Sequence, residues 1–196
     1  MINKMENDFF IGILNGGKSR RMGFPKALIN YKNKPLIEYI YDIAINITKN
    51  VVILGGSPVT ERIKNNADII CDDCKFGPIS GIMEGYSQIK GDFIIWAIDM
   101  PLVNEEMIDT LLERTNFYNG NVIPFNRYVN KYEPLFAYYS KELLEKVSNL
   151  MGGDFYSMQH ILKHLSVKGD SEFFDKYRNN LISWNTEELM KMALGV

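Results

Sequence analysis

The feature that most constrains this chain is a regular alternation of short apolar runs with longer amphipathic ones. Residues 93–98 are six apolar residues in succession, Phe-Ile-Ile-Trp-Ala-Ile, rich in β-branched and aromatic side chains. A run of that length and composition suits a strand buried on both faces. Residues 9–14, 51–54 and 67–71 read the same way. Between them, 35–48 carries Leu36, Ile37, Ile40, Ile43, Ala44 and Ile47 at helical spacing. Residues 60–65 and 81–89 are further helical segments, and 105–114 is a helix capped by Asn104. Strands separated by helices predict parallel pairing through right-handed crossovers. The expectation is therefore an α/β fold: a three-layer, Rossmann-like α/β/α arrangement around a mostly parallel sheet, with 93–98 as the central strand.

The second half is less regular. Strands are expected at 121–125, 133–139 and 181–184, and helices at 141–151 and 157–165. A terminal helix is expected to open at Thr186-Glu187-Glu188 behind an Asn185 cap. No repeat or low-complexity linker divides the 196 residues, so one domain over 1–196 is expected. Its nucleotide-binding half would run from about 8 to 101 and its acceptor half from about 102 to 196.

Composition narrows the function classes. Lys and Arg number 22 against 24 Asp and Glu, a net charge of −2, which argues against a polybasic nucleic-acid binder. No apolar run approaches the ~20 residues of a membrane helix, and no secretory signal stands at the start. Two cysteines cannot build a disulfide framework. These features predict a cytoplasmic protein with neither membrane nor nucleic-acid partners.

Against that acidic background, residues 9–37 hold six Lys or Arg and no Asp or Glu. Most of that charge follows the first strand directly, in Leu14-Asn15-Gly16-Gly17-Lys18-Ser19-Arg20-Arg21-Met22-Gly23-Phe24-Pro25-Lys26. Ligands of open α/β sheets bind at the carboxyl ends of strands. Paired glycines turn backbone amides toward an oxyanion, and the Lys, Ser and Arg side chains add donors. The segment reads as a phosphate site; its plain alternative is a solvated basic turn. Gly12 to Ser19 also spells G-x-x-x-x-G-K-S, and 93–99 ends in Asp as a Walker-B strand does. A P-loop must continue into a helix at its Lys-Ser, however. Here Gly23 and Pro25 would fall within that helix's first two turns, where an interior Pro costs about 3 kcal/mol.

The segment 14–26 resembles the L-A-G-G-x-S-x-R-M-G-x-x-K signature of the molybdenum cofactor guanylyltransferases, the MobA family. Leu14, Gly16, Gly17, Ser19, Arg21, Met22, Gly23 and Lys26 match, Asn15 replaces the usual Ala, and Pro25 stands where many members have Asp. The short Gly23–Lys26 spacing resembles the molybdopterin branch rather than the sugar nucleotidyltransferases, and the double glycine resembles the guanine-using enzymes. The resemblance implies the nucleotide-diphospho-sugar transferase fold. It implies GTP and molybdopterin as substrates, Mg²⁺ as cofactor, and transient contact with cofactor-delivery or acceptor proteins.

The same resemblance implies site residues. Leu14, Asn15, Gly16, Gly17, Ser19, Lys26, Asp72 and Asp99 would bind nucleotide. Arg21 and Lys26 would neutralise the triphosphate. Asp99, at the end of an apolar strand before Met100-Pro101, would hold the metal; on residue type alone it reads more readily as a turn or cap residue. Gly77 and Pro78 would shape the pocket wall, and Leu54 and Gly56 could offer only backbone. Glu133-Pro134-Leu135-Phe136-Ala137 resembles the family's x-P-L-x-A strand on the pterin side. Asn185-Thr186 resembles part of N-x-N-T-P-E-D/E-L, with Ser183 at the first Asn, and makes Asn185 an acceptor-binding candidate. The Gly-x-Arg-Ser segment is echoed only faintly at 153–157, without its Arg. Cys71, Cys74, His160 and His164 could be imagined as a zinc site, but the two segments lie far apart in sequence, and an isolated C-x-x-C and a helix-surface His pair explain them better.

The implied reaction is transfer of GMP from GTP to the molybdopterin phosphate, forming the guanine dinucleotide cofactor and releasing pyrophosphate. The rival readings are a nucleotidyltransferase using CTP or another acceptor, a P-loop NTPase, and a non-catalytic nucleotide-binding module.

Overall fold

Alternate side chains of a strand point to opposite faces, and here both faces are apolar, so the sheet lies between two helical layers. The computed structural model describes residues 9–16, 24–71, 76–118, 120–151 and 156–185. Its strands are β1 (Phe9–Leu14), β2 (Asn30–Tyr31), β3 (Lys34–Pro35), β4 (Val51–Leu54), β5 (Asp68–Ile70), β6 (Asp92–Ala97), β7 (Phe125–Asn126), β8 (Lys131–Tyr132) and β9 (Phe136–Tyr139). Its helices are α1 (Leu36–Ile47), α2 (Glu61–Lys64), α3 (Pro78–Ile89), α4 (Glu105–Arg114), α5 (Lys141–Leu150), α6 (Met158–His164) and α7 (Ser171–Tyr177). The main sheet has the order β5-β4-β1-β6-β9. Its first four strands are parallel, and β9 adds antiparallel to β6.

Ile11, Ile13, Ile53, Ile94, Trp96 and Phe136 pack on one face with α1, α4 and α7. Leu14, Leu54, Ile95, Ala97 and Tyr139 pack on the other with α3, α5 and α6. Gly12 and Gly85 bring this second layer close. A Cβ on either would lie 2.7 Å from a terminal methyl of Leu54, so Leu54 fills the space that both glycines leave. The mixed α/β class and mostly parallel sheet match the sequence expectation.

Several elements differ from it. The middle strand is β1; β6 is interior but one place removed, because β9 closes that side. Helix α3 begins at Pro78, which suits a first helical position because its missing N–H has no partner there anyway. The strand expected at 121–125 is reduced to isolated bridges at Val122 and Pro124 and the two-residue β7. β9 starts at Phe136, not at 133. Residues 181–184 form no strand. The β2–β3 hairpin and α7 carry too few apolar residues at regular spacing to announce themselves. The terminal helix expected from Thr186 lies outside the described residues. No helix among the described residues is long and apolar enough to cross a membrane.

Candidate active site

Strand order reverses at β1, with β4 on one side and β6 on the other, and ligands of open α/β sheets bind beyond the carboxyl ends of strands at such a point. The chain leaves β1 through Leu14, whose side chain is in the core and whose carbonyl accepts from Ile98 N–H at 3.0 Å. Asn15 follows, 1% exposed. Its N–H donates to Leu54 O at 2.8 Å, and its Nδ2 donates to the Ser57 and Pro58 carbonyls at 3.3 Å each. The Asn15 side chain therefore ties the loop after β1 to the loop after β4. Gly55 permits this approach: its φ is +117°, and a Cβ there would meet the Asn15 carbonyl oxygen at 2.9 Å. Gly16 is exposed and is the first residue of the loop whose backbone is open to a ligand.

Asp99 sits in the turn that ends β6. Met100 N–H closes that turn onto Ala97 O at 3.0 Å, and the Trp96 indole braces it from inside by donating to Met100 O at 3.0 Å. Lys26 enters from a single 3-10 turn, Lys26–Leu28, set by extended Pro25 and anchored by buried Ala27. The Lys26 ammonium donates to Asp99 Oδ2 at 3.0 Å and to Asn185 Oδ1 at 3.0 Å. Asp99 Oδ1 is buried and has no hydrogen-bond partner among the described residues. Residues 73 and 159 positions apart in sequence thus converge on one ammonium.

Trp184 makes that convergence possible, and it carried no signal beyond apolarity. Its ring is 1% exposed and meets Tyr31 of the β2–β3 hairpin edge-on, with centroids 5.2 Å apart. The Trp184 backbone N–H donates to the Asp99 carbonyl at 2.7 Å. The C-terminal segment is thereby fastened over the end of β6, and Asn185 is delivered to Lys26.

Glu133 is a second residue to which residue type and spacing gave no role. Ala97, two residues before Asp99, donates to the carbonyl of Leu135, two residues after Glu133, at 2.8 Å. That symmetric spacing across β6 and the chain entering β9 brings Glu133 alongside Asp99. Desolvation pushes the Glu133 carboxyl up to about 7; the Leu135 N–H opposes this, and the Asp99 charge adds to it.

Of the expected site residues, Leu14, Asn15, Gly16, Lys26, Asp99 and Asn185 are described, and the structure brings Lys26, Asp99 and Asn185 into contact. Gly17, Ser19, Arg21 and Asp72 lie outside the described residues. After the loop, residues 24–31 form a 3-10 turn and a two-residue strand rather than the helix that a P-loop needs. Cys71 is exposed, and Cys74 lies outside the described residues. No group of three His, Cys, Asp or Glu among the described residues is arranged to hold a metal.

Residues 11–168 match the MobA-like NTP transferase domain family. A relative from Bacillus mycoides (strain KBAB4), named "Probable molybdenum cofactor guanylyltransferase", is 31% identical over 162 residues, 80% of each chain. The crystal structure of molybdopterin-guanine dinucleotide biosynthesis protein A from Archaeoglobus fulgidus is similar with a TM-score of 0.73 and 23% identity, covering 94% of this chain and 96% of that one. A solved protein from Aquifex aeolicus VF5 is similar with a TM-score of 0.68 and 27% identity, covering 91% and 94%.

Proposed function

The chain belongs to the MobA-like NTP transferase family and is a nucleotidyltransferase, and on that premise we propose that it transfers GMP from GTP to the phosphate of molybdopterin. The observation that carries this reading is the convergence of Lys26, Asp99 and Asn185 at the switch point, beside a loop that opens with Gly16. The curated relatives named for the same activity support it.

A phosphate oxygen of the acceptor attacks the α-phosphorus of GTP in line. The new P–O bond forms as the α–β bridge breaks, and pyrophosphate leaves with the electron pair. The attacking oxygen is already ionised at neutral pH, so no enzyme nucleophile or general base is required. Catalysis is then positioning and charge neutralisation. An ammonium has three donors, and two of Lys26's are engaged by Asp99 and Asn185. The third has no partner among the described residues and would hold a phosphate oxygen, and Arg21 would add a second cation at the triphosphate. Gly16 and Gly17 would present backbone amides, with Ser19 and Asp72 completing the nucleotide contacts. Asn185 would stand on the acceptor side.

A divalent cation fits these residues. Asp99 offers a buried, unpartnered carboxylate oxygen, the hard donor that Mg²⁺ prefers. Asp99 would hold the ion, which when bound would neutralise charge developing on the phosphate oxygens.

The test is pyrophosphate release by purified protein with Mg²⁺ and molybdopterin, with GTP and CTP supplied separately. Release with GTP is expected, falling by about a thousandfold in Asp99→Asn (~4 kcal/mol of barrier) with an unchanged melting curve. Release with CTP alone would overturn the base assignment, and release of inorganic phosphate instead would overturn the transfer chemistry.

A further inference from the structure

We infer that the Phe76–Tyr156 ring pair is the platform on which the purine base of the donor nucleotide stacks. This deepens the guanylyltransferase reading and rests on it.

The two rings have centroids 4.0 Å apart and lie 13° from parallel. The other ring pairs among the described residues are tilted or edge-on. Phe76 is 39% exposed and Tyr156 38%, and neither belongs to the buried core of either layer. Core packing therefore does not account for the pair. Each ring covers one face of the other, so the outer faces and edges carry the exposure. Two parallel aromatic planes with an open outer face are extended by a third planar ring.

Topology sets where the platform stands. The parallel strands end together, and Phe76 lies between the exit of edge strand β5 and the start of α3. Its N–H donates to Ser80 Oγ at 3.0 Å, which holds it to the first turn of that helix. Strand β9 is antiparallel, so α5, which follows it, returns toward the same end of the sheet and leads to Tyr156 just ahead of α6. Both rings are thus at the end that carries Gly16, Lys26 and Asp99. Strands β1 and β5 are two strand spacings apart, about 10 Å, the span of a nucleotide from its phosphates to its base. On the other side of β1, the Trp184 segment is fastened over the end of β6, so the nucleoside has room toward β5. Gly56 and Gly77 leave space there: a Cβ on either would meet nothing within 4 Å among the described residues beyond its chain neighbours. Phe76 offers its outer face to that space, and Tyr156 backs it as a positioning residue. Stacking accepts any base, so the platform supplies affinity and leaves the choice of guanine to hydrogen bonds elsewhere.

The experiment titrates GTP and inorganic triphosphate, each with Mg²⁺ and without acceptor, into the full chain by calorimetry, for wild type, Phe76→Ala, Phe76→Trp and Tyr156→Ala. Pyrophosphate release with GTP and molybdopterin is measured alongside. Phe76→Ala should weaken GTP binding about tenfold, the loss of one base–aromatic stack, and Phe76→Trp should restore it. Tyr156→Ala should fall between wild type and Phe76→Ala. Inorganic triphosphate, which has no base, should bind all four proteins within about twofold, and melting curves should stay near wild type because both rings are exposed. Equal weakening of GTP and inorganic triphosphate overturns the inference, making the pair a support for the loops. Unchanged GTP binding overturns it too, and a raised KM for molybdopterin in that case would move the platform to the acceptor. A wild type that binds GTP but releases no pyrophosphate overturns the guanylyltransferase reading, and the GTP titrations then decide the platform by themselves. A wild type that binds no GTP overturns both.

Discussion

Residues 9–101 and residues 102–185 are built on different terms. The first stretch contributes four parallel strands whose apolar runs declare themselves locally, and its register is set by burial on both faces. The second contributes one antiparallel strand, a two-strand ribbon and four short helices, tied together by polar contacts over long sequence separations. Asp170 is the clearest case. It is fully buried, pairs with Arg114 of α4, accepts from Phe173 N–H to cap α7, and exchanges backbone bonds with Ile123 and Phe125. Asp92 at the start of β6 likewise accepts from Tyr138 Oη and from Lys141 N–H, both at 2.8 Å. Where burial decides, sequence periodicity is enough to find an element. Where one buried carboxylate decides, the sequence shows only an Asp.

The most severe test of that contrast is Asp170→Ala. Breaking a buried pair by removing one partner costs about 3–5 kcal/mol; here the Arg114 guanidinium keeps only Glu172 and the Tyr118 hydroxyl, and the cap on Phe173 N–H is lost as well. The Asp170 carboxylate also pushes the Arg114 pKa up. Urea unfolding should show a loss of this size, and Glu172, which also reaches Arg114 at 3.0 Å but is exposed, should substitute for little of it. A loss below about 1 kcal/mol would mean that the second stretch is fixed by its apolar core like the first, and the contrast would dissolve.

Lys26→Ala sharpens the comparison from the other side. Lys26 and Asp99 also form a polar pair across a long separation, but at 16% and 17% side-chain exposure they face the crevice rather than the core. Turnover should fall at least tenfold, ~1.4 kcal/mol of barrier, while the unfolding midpoint barely moves. An equal turnover in Lys26→Ala would remove its proposed role. A large loss of stability would instead make the pair structural, like Arg114–Asp170.

The same contrast explains what was legible. Strands β1, β4 and β6 and helices α1, α4 and α5 fall within a residue or two of where apolar spacing puts them; Asn104 accepts the expected backbone N–H bond, and Ser140, not singled out in the sequence, caps α5 in the same way. Lys26 and Asp99 were marked through the resemblance, Lys26 by the loop signature and Asp99 by its place at the end of an apolar strand, and the structure brings the two into contact. Asn185 was found through resemblance, but its route to Lys26 was not, because it depends on Trp184 packing against Tyr31, which lies more than 150 positions earlier. Glu133 was likewise found only through resemblance, as part of 133–137, and its place at the entry to β9 was not legible. Its interest comes from the β6–β9 pairing, which no local pattern encodes.

Asn15 carries the smallest effect and tests the first stretch where it most resembles the second. Its side chain is buried, and it donates to two carbonyls of another loop, as Asp170 accepts from another element. Both bonds are 3.3 Å long, however, and they end on Ser57, half-buried, and Pro58, exposed. Those carbonyls can turn to water when the amide is removed, so no buried group is orphaned. Asn15→Ala should therefore cost about 1 kcal/mol in urea unfolding, the net value of ordinary hydrogen bonds. The backbone bond from Asn15 N–H to Leu54 O remains, so β1 and β4 stay in register. The loop loses a tether on the side proposed to meet the nucleotide, and KM for GTP should rise severalfold with kcat little changed. A cost near that of Asp170→Ala would show that a buried polar side chain fixes the first stretch as well. An unchanged KM for GTP would show that Gly55 and the backbone alone hold the loop in place.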